Sequence, residues 1–258
     1  MKVIAFEEHY KIPAIAQANK ANPIEQIYDT WNKLGRFPGD PSKGVPPDIY
    51  DLDEKRIAAM DAAGIDVQIL SHTVPGPEEL EPKLAIELAR KANEAAHATV
   101  TRFPDRFRAF AALPMLDPKA AADELERTVH KLGFVGALIN GHVNGRYLDD
   151  KFFWPVFECA EKLNVPIYLH PNRPPQPVVS ACYDGFNPIV SGFLALAGLG
   201  WHIDTGHSRH ATDSWRGIRR ISWFADYRRA QFRDPQLDRM ARDIRVPAER
   251  YRSQAPCN

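Results

Sequence analysis

Hydrophobic and polar positions fall into two alternating regimes along this chain. Short apolar, β-branched runs read as strands at "VIAFEEH" (3–9), "DVQILSH" (66–72), "FRAFAALP" (107–114), "FVGALING" (134–141) and "VPIYLHP" (165–171). Between them, apolar residues recur at helical spacing over 51–64, 77–104, 117–133 and 149–164. Gly64 and Gly133 are placed to stop two of these helices, Pro118 to start one, and Pro104 to end one. The strands are too apolar to face water on either side, so the pattern predicts a parallel sheet covered by helices. An open doubly wound sheet and a (β/α) barrel both fit. No glycine-rich dinucleotide loop follows the first strand. Instead, polar groups end strand after strand: Glu7 and His9, His72, Asn140 and His142, and His170. Barrel enzymes carry their chemistry on that rim, which favours an α/β barrel. Residues 11–47 and 171–188 show little periodicity and read as long excursions, the first helping to cover the rim.

Composition narrows the class. The chain has 258 residues, zero formal net charge, 44% apolar and 26% charged residues, as an ordinary globular domain does. No basic excess over the first two hundred residues suggests nucleic acid. Three cysteines, Cys159, Cys182 and Cys257, form no paired motif and point to a reducing compartment. The chain opens as a strand rather than a leader, and no apolar run approaches membrane-spanning length. A cytoplasmic protein is expected.

On a strand, Glu7 and His9 point one way and Glu8 the other. A carboxylate and an imidazole so placed suit zinc or manganese, whereas the plainer alternative is a capping acid beside a surface histidine. His170 ends an apolar strand and is either a hydrogen-bonded core histidine or a third ligand. Three convergent ligands with an open position describe a catalytic metal site. Asn140 suits donation to a substrate oxygen or a turn before Gly141. Arg173 suits an anionic substrate or a solvated loop. His97 and His130 lie within helical patterns and read as surface or packing residues.

Four blocks, "FEEHY", "DRFRAFAALP", "GALINGHVNGRYLDDKFFWPVFECAEKLNVPIYLHP" and "GWHIDTG", together resemble the metal-dependent decarboxylase branch of the amidohydrolase superfamily. That branch includes γ-resorcylate, 2,3-dihydroxybenzoate, 5-carboxyvanillate and aminocarboxymuconate semialdehyde decarboxylases. The likeness runs from Met1 to about Gly206. It implies a (β/α)8 TIM barrel, one divalent ion (Zn or Mn) held by Glu7, His9 and His170, and a substrate contact from Asn140. It further implies non-oxidative decarboxylation of an ortho-hydroxy aromatic or related unsaturated acid. The carbon bearing the carboxylate is protonated and carbon dioxide leaves. A homo-oligomer, dimer or tetramer, is implied as well. A lactone or amide hydrolase built on the same ligands, and an inactive remnant, are the alternatives. A ring-opened product would mark the hydrolase, and an inert chain that still binds metal would mark the remnant.

Past Gly206 the sequence departs from this family's pattern, which continues with a histidine for acid–base chemistry and later an aspartate as fourth ligand. The text reads "HSRHATDSWRGIRRISWFADYRRAQFRDPQ" instead. Codons permitted for this stretch, read one nucleotide later, spell "THAMRLILGGVFDAYPGLQIIVGH", which is the family's helix and strand. One domain is therefore expected over 1–258. Residues 1–206 are family-like, 207–236 come from a shifted frame, and 237–258 form a truncated end. The barrel is then incomplete at its C-terminal strands, with marginal folding and a three-ligand site. Sequencing the gene tests this: a frame change is expected near the codon for His207, and an undisturbed frame without an overlapping family-like translation overturns it.

Overall fold

The computed structural model describes residues 3–33 and 47–214. Strand and helix alternate in the order the periodicity predicts. The elements are β1 (Ile4–Tyr10), α1 (Pro13–Ala18), α2 (Pro23–Lys33), α3 (Glu54–Ala63), β2 (Val67–His72), α4 (Pro82–Arg102) and β3 (Phe107–Ala109). They continue with α5 (Pro118–Leu132), β4 (Ala137–Asn140), α6 (Trp154–Leu163), β5 (Ile167–His170), α7 (Gln176–Cys182), α8 (Pro188–Phe193) and α9 (Gly200–Ser214).

The topology decides between the two architectures. β1 pairs parallel with β2, β2 with β3, and β4 with β5. A parallel bridge from Ala111 to Ala137 links the end of β3 to the start of β4. The strands thus lie side by side in chain order, with no reversal. A doubly wound sheet reverses its order at a switch point; a barrel does not. The described strands form an arc of five successive barrel strands.

Positions two apart along each strand share a face. On the inner face, Ile69, Phe110 and Leu138 form a buried apolar cluster, with Val135 and Tyr168 packed against it. One step further toward the C-terminal rim stand Ser71, Asn140 and His170. The inner face is therefore an apolar floor with polar groups above it.

Helix ends follow local chemistry. Gly64 and Gly133 adopt the left-handed conformation that closes α3 and α5 (φ 68° and 69°). Asp117 caps α5 by accepting from the Ala120 amide at 3.0 Å, with Pro118 in the first turn. The helix expected from residue 77 starts at Pro82 instead, because 73–78 is a buried loop over the rim. The described parts of the two excursions also contain helices that their composition did not suggest. The first holds α1 and α2, and the second holds α7. Short helices with a proline in the first turn carry too few periods to read from a pattern. The expectations for residues 215–258, including most of the frame-shifted segment, the truncated end and the missing strands, lie outside the described residues. Residues 207–214 continue α9.

One polar staple fastens the helical layer to the sheet. Asn93 on α4 is fully buried. Its side chain accepts from the Ala112 amide at 2.9 Å and donates to the Ala112 carbonyl at 3.0 Å, as a neighbouring strand would. It also donates to Glu124 on α5 at 2.8 Å, and Arg127 grips that carboxylate through two nitrogens, each at 2.8 Å. An Asn93→Ala variant leaves both Ala112 backbone groups dry and unpaired. It is expected to lose about 2–4 kcal/mol, read as a lower urea midpoint at unchanged slope.

Candidate metal centre

Three groups meet above the apolar floor. Glu7 and His9 come from β1 and His170 from the end of β5. Glu7 Oε1 lies 3.2 Å from His170 Nε2 and 3.7 Å from His9 Nε2, and the two Nε2 atoms are 3.1 Å apart. Among the described residues, this is the one cluster of three such groups at ligand spacing. Donors sharing one ion at bonds of about 2.0–2.2 Å stand roughly 3.0–3.5 Å apart, so the spacing suits a single small divalent cation.

The pairing of Glu7 with His9 arises less simply than strand alternation suggests. Ala5 stands opposite Gln68 and Glu8 opposite Leu70, so Phe6 and Glu7 together span the place of Ile69 alone. This β-bulge puts Glu7 at φ 64°, in the left-handed region that disfavours a side chain. Ahead of the bulge, Ile4 carries the inner phase, since it stands opposite Val67. Behind it, His9 carries that phase opposite Ser71. The extra residue shifts the inward set from even to odd positions, and strained backbone of this kind gathers at functional sites. Glu8 shares the outward phase of Leu70.

The electrostatics favour an ionised carboxylate and a neutral imidazole. Burial raises the Glu7 carboxyl, but hydrogen bonds to His170 and His9, with one from Tyr168, outweigh it and hold the group well below the usual carboxylate range. Burial pushes the His9 imidazole below its ordinary value against the opposing pull of Glu7. His9 Nδ1 lies 3.2 Å from Ser71 Oγ, a contact that can hold the Nδ1 proton and leave the Nε2 lone pair facing inward.

Asn140 and His170 are direct partners across the β4–β5 ladder. The Asn140 amide already has a partner. It donates to Glu78 Oε1 at 2.5 Å, while its own Oδ1 is buried without a hydrogen-bond partner. Arg173 follows on the next loop. Its guanidinium donates to Gln176 at 2.8 Å, its Nε is buried without a hydrogen-bond partner, and burial lowers its pKa. Three further histidines hydrogen-bond to backbone groups. His72 donates through Nδ1 to the Thr73 carbonyl at 2.8 Å, and burial pushes its pKa down to about 3. His142 donates to the Arg173 carbonyl at 2.9 Å and accepts from the Gly145 amide at 3.1 Å. His97 lies 3.2 Å from the Leu132 carbonyl.

Sequence reasoning missed four neighbours of this site. Tyr168 donates to Glu7 Oε2 at 2.5 Å; its place two residues before His170 on one strand was a readable signal. Ser71 meets His9 only through the β1–β2 register. Trp201 stands edge-on to His170 with ring centres 5.9 Å apart. Glu78 gave no signal, being one of a run of acids in a loop.

Glu78 is a fully buried carboxyl, and burial pushes it up to about 7, against the pull of its own backbone amide and of Asn140. The folded state therefore holds a proton that the unfolded chain has released. Stability falls as pH rises from the ordinary carboxylate range through about 7, by at most about 3 kcal/mol. A Glu78→Gln variant is expected to flatten this slope in denaturation measured at pH 5 and pH 8.

The likeness to known proteins agrees with this geometry. A γ-resorcylate decarboxylase of Rhizobium radiobacter is 42% identical over 201 residues, covering 75% of this chain and 57% of that protein. The chain thus spans a little over half the length of that relative. A solved dihydroxybenzoic acid decarboxylase from a Polaromonas species, with bound manganese and the inhibitor 2-nitroresorcinol, is 34% identical at a TM-score of 0.66, covering 82% of this chain and 60% of its own. A manganese-bound variant of 5-carboxyvanillate decarboxylase from Novosphingobium aromaticivorans is 29% identical at a TM-score of 0.74, covering 86% and 63%. The amidohydrolase family pattern matches residues 45–246, a range that holds Asn140, His170 and Arg173 and runs across 207–236. With most of its length matched, the chain belongs to the amidohydrolase family.

Proposed function

We propose that this chain carries the metal site of a non-oxidative decarboxylase acting on an ortho-hydroxy aromatic carboxylic acid. The observation that carries the reading is the meeting of Glu7, His9 and His170 at ligand spacing on the barrel rim. Relatives named for γ-resorcylate and 5-carboxyvanillate support the substrate class.

Glu7, His9 and His170 would hold one divalent ion, manganese or zinc. Bound there, such an ion supplies a Lewis acid and a template for neighbouring carboxylate and phenol oxygens. The chain's own residues do the rest. Asn140 offers a dry, unpaired Oδ1 beside His170, suited to accept from a phenolic hydroxyl. Arg173 sits on the loop after β5 with an unpaired Nε, suited to offset the charge of a carboxylate. The Trp201 ring lies against His170 and presents an apolar wall to a flat substrate. The apolar floor of Ile69, Phe110 and Leu138 keeps water from entering beneath.

The working unit in this reading is one barrel domain over 1–258 within a cytoplasmic homo-oligomer, dimer or tetramer, that has neither nucleic acid nor membrane as a partner. Among the described residues, no helix is long and apolar enough to cross a membrane. The test pairs metal content with product. Purified chain dialysed against Mn(II) is expected to hold about one ion, and a Glu7→Ala/His170→Ala double variant none. The loaded chain is expected to release carbon dioxide from 2,6-dihydroxybenzoate well below normal enzyme rates, because the acid–base histidine and fourth-ligand aspartate that the family pattern calls for are not found in this sequence. A folded chain that binds no metal, or a metal-loaded chain that opens a lactone and releases no carbon dioxide, overturns the proposal.

A further inference from the structure

Among the three groups of the metal centre, Glu7 is the one on a left-handed backbone, and something must decide which of its two oxygens faces inward. We propose that Tyr168 is the positioning residue that makes this decision, by holding Glu7 Oε2 and leaving Oε1 as the single oxygen offered to a metal ion. The inference rests on the metal reading above and deepens it.

The hydroxyl of Tyr168 donates to Glu7 Oε2 at 2.5 Å. The other oxygen, Oε1, is the one that faces His170 Nε2 at 3.2 Å and His9 Nε2 at 3.7 Å. The two oxygens thus have separate partners on opposite sides of the carboxylate. Tyr168 is itself well fixed. Its ring stacks on Phe110, with centres 5.8 Å apart and planes inclined by 23°, and it packs against the floor of Ile69, Phe110 and Leu138. A phenol sunk in apolar surroundings needs an acceptor for its hydroxyl, and a carboxylate in a dry site needs donors. Each group meets the other's requirement.

The geometry also explains why a tyrosine stands here. β1 and β5 are not neighbours in the sheet, so no backbone ladder joins them. Tyr168 sits one layer below His170 on β5, and its hydroxyl reaches Glu7 on β1 across the inner face. At φ 64° the Glu7 backbone does not favour the native placement by itself. A rigid ring with one fixed donor supplies the missing constraint. The same bond would favour contact through one oxygen, because it holds Oε2 to Tyr168 while Oε1 faces the imidazoles. Partners that orient a ligand in this way commonly govern metal affinity about as strongly as a weak ligand does.

The test is Mn(II) affinity of the full chain by calorimetry, with the Mn(II) paramagnetic resonance spectrum as a second readout. Tyr168→Phe keeps the ring and its stacking and removes only the hydroxyl. It is expected to weaken Mn(II) binding by about 10- to 100-fold and to alter the resonance line shape, while the metal-free chain melts as the parent does. Phe110→Leu removes the stacking and keeps the hydroxyl. It is expected to lower the melting temperature and to leave Mn(II) affinity within about threefold of the parent. Unchanged or tighter Mn(II) binding by a folded Tyr168→Phe chain overturns the inference and leaves the metal site standing. A parent chain that binds no Mn(II) overturns both.

Discussion

Two imidazole nitrogens and a carboxylate oxygen face one another within 4 Å, on strands that do not pair. Everything near the rim of this barrel is arranged around that crowding. Left alone, three lone-pair donors in a partly buried site repel and seek water. They stay together because each carries a second partner that fixes its outer side: Ser71 for His9, Tyr168 for Glu7, and for His170 the edge of Trp201. A site in which the outer sides of Glu7 and His9 are hydrogen-bonded and the inward faces converge is arranged for a cation at its centre, although His170 Nδ1 is buried without a hydrogen-bond partner.

This demand reaches into the backbone. A straight first strand would have continued the phase set at Ile4 and turned Phe6 and Glu8 inward. The bulge moves that phase by one residue and places Glu7 and His9 inside, at the cost of a left-handed glutamate. The strand after the bulge then regains register with β2, so the strain stays local. Below the rim, Tyr168 stacks on Phe110 of the apolar floor and links that floor to the charged layer through its hydroxyl. Behind the sheet, Asn93 serves as a substitute strand for Ala112, which holds the third strand in place where its own ladder is short.

The rim carries a second buried acid of different character. Burial raises both carboxyls, but Glu7 is surrounded by groups that favour its charge and ends below the usual carboxylate range, whereas the few amides around Glu78 do not offset its burial and it ends above that range. The contrast with Glu124 is similar: that buried carboxylate has Arg127 and Asn93 for partners, and it fastens two helices. Burial alone does not tell these three glutamates apart. Their partners do, and apart from His9 beside Glu7 and Arg127 beside Glu124 the side chains that set them apart come from distant parts of the chain.

Much of this was legible in the chain alone. The alternation of apolar strands with helical stretches, the polar residue closing each strand, and the glycine and proline stops are local properties. They follow from side-chain period and backbone sterics, and they were enough to read a barrel and to single out Glu7, His9, His170 and Asn140. The short helices α1 and α7 were not legible, because helices of six and seven residues have too few turns to show a period; α2 was missed within the first excursion. Tertiary structure alone decided the register that sets Ser71 against His9, the bulge that reverses the phase of β1, the reach of Tyr168 from β5 to β1, and the capture of Asn140 by Glu78. Each of these joins residues about sixty or more positions apart. The period of a strand states which way a side chain points, but only the closed curve of the sheet determines what it meets there.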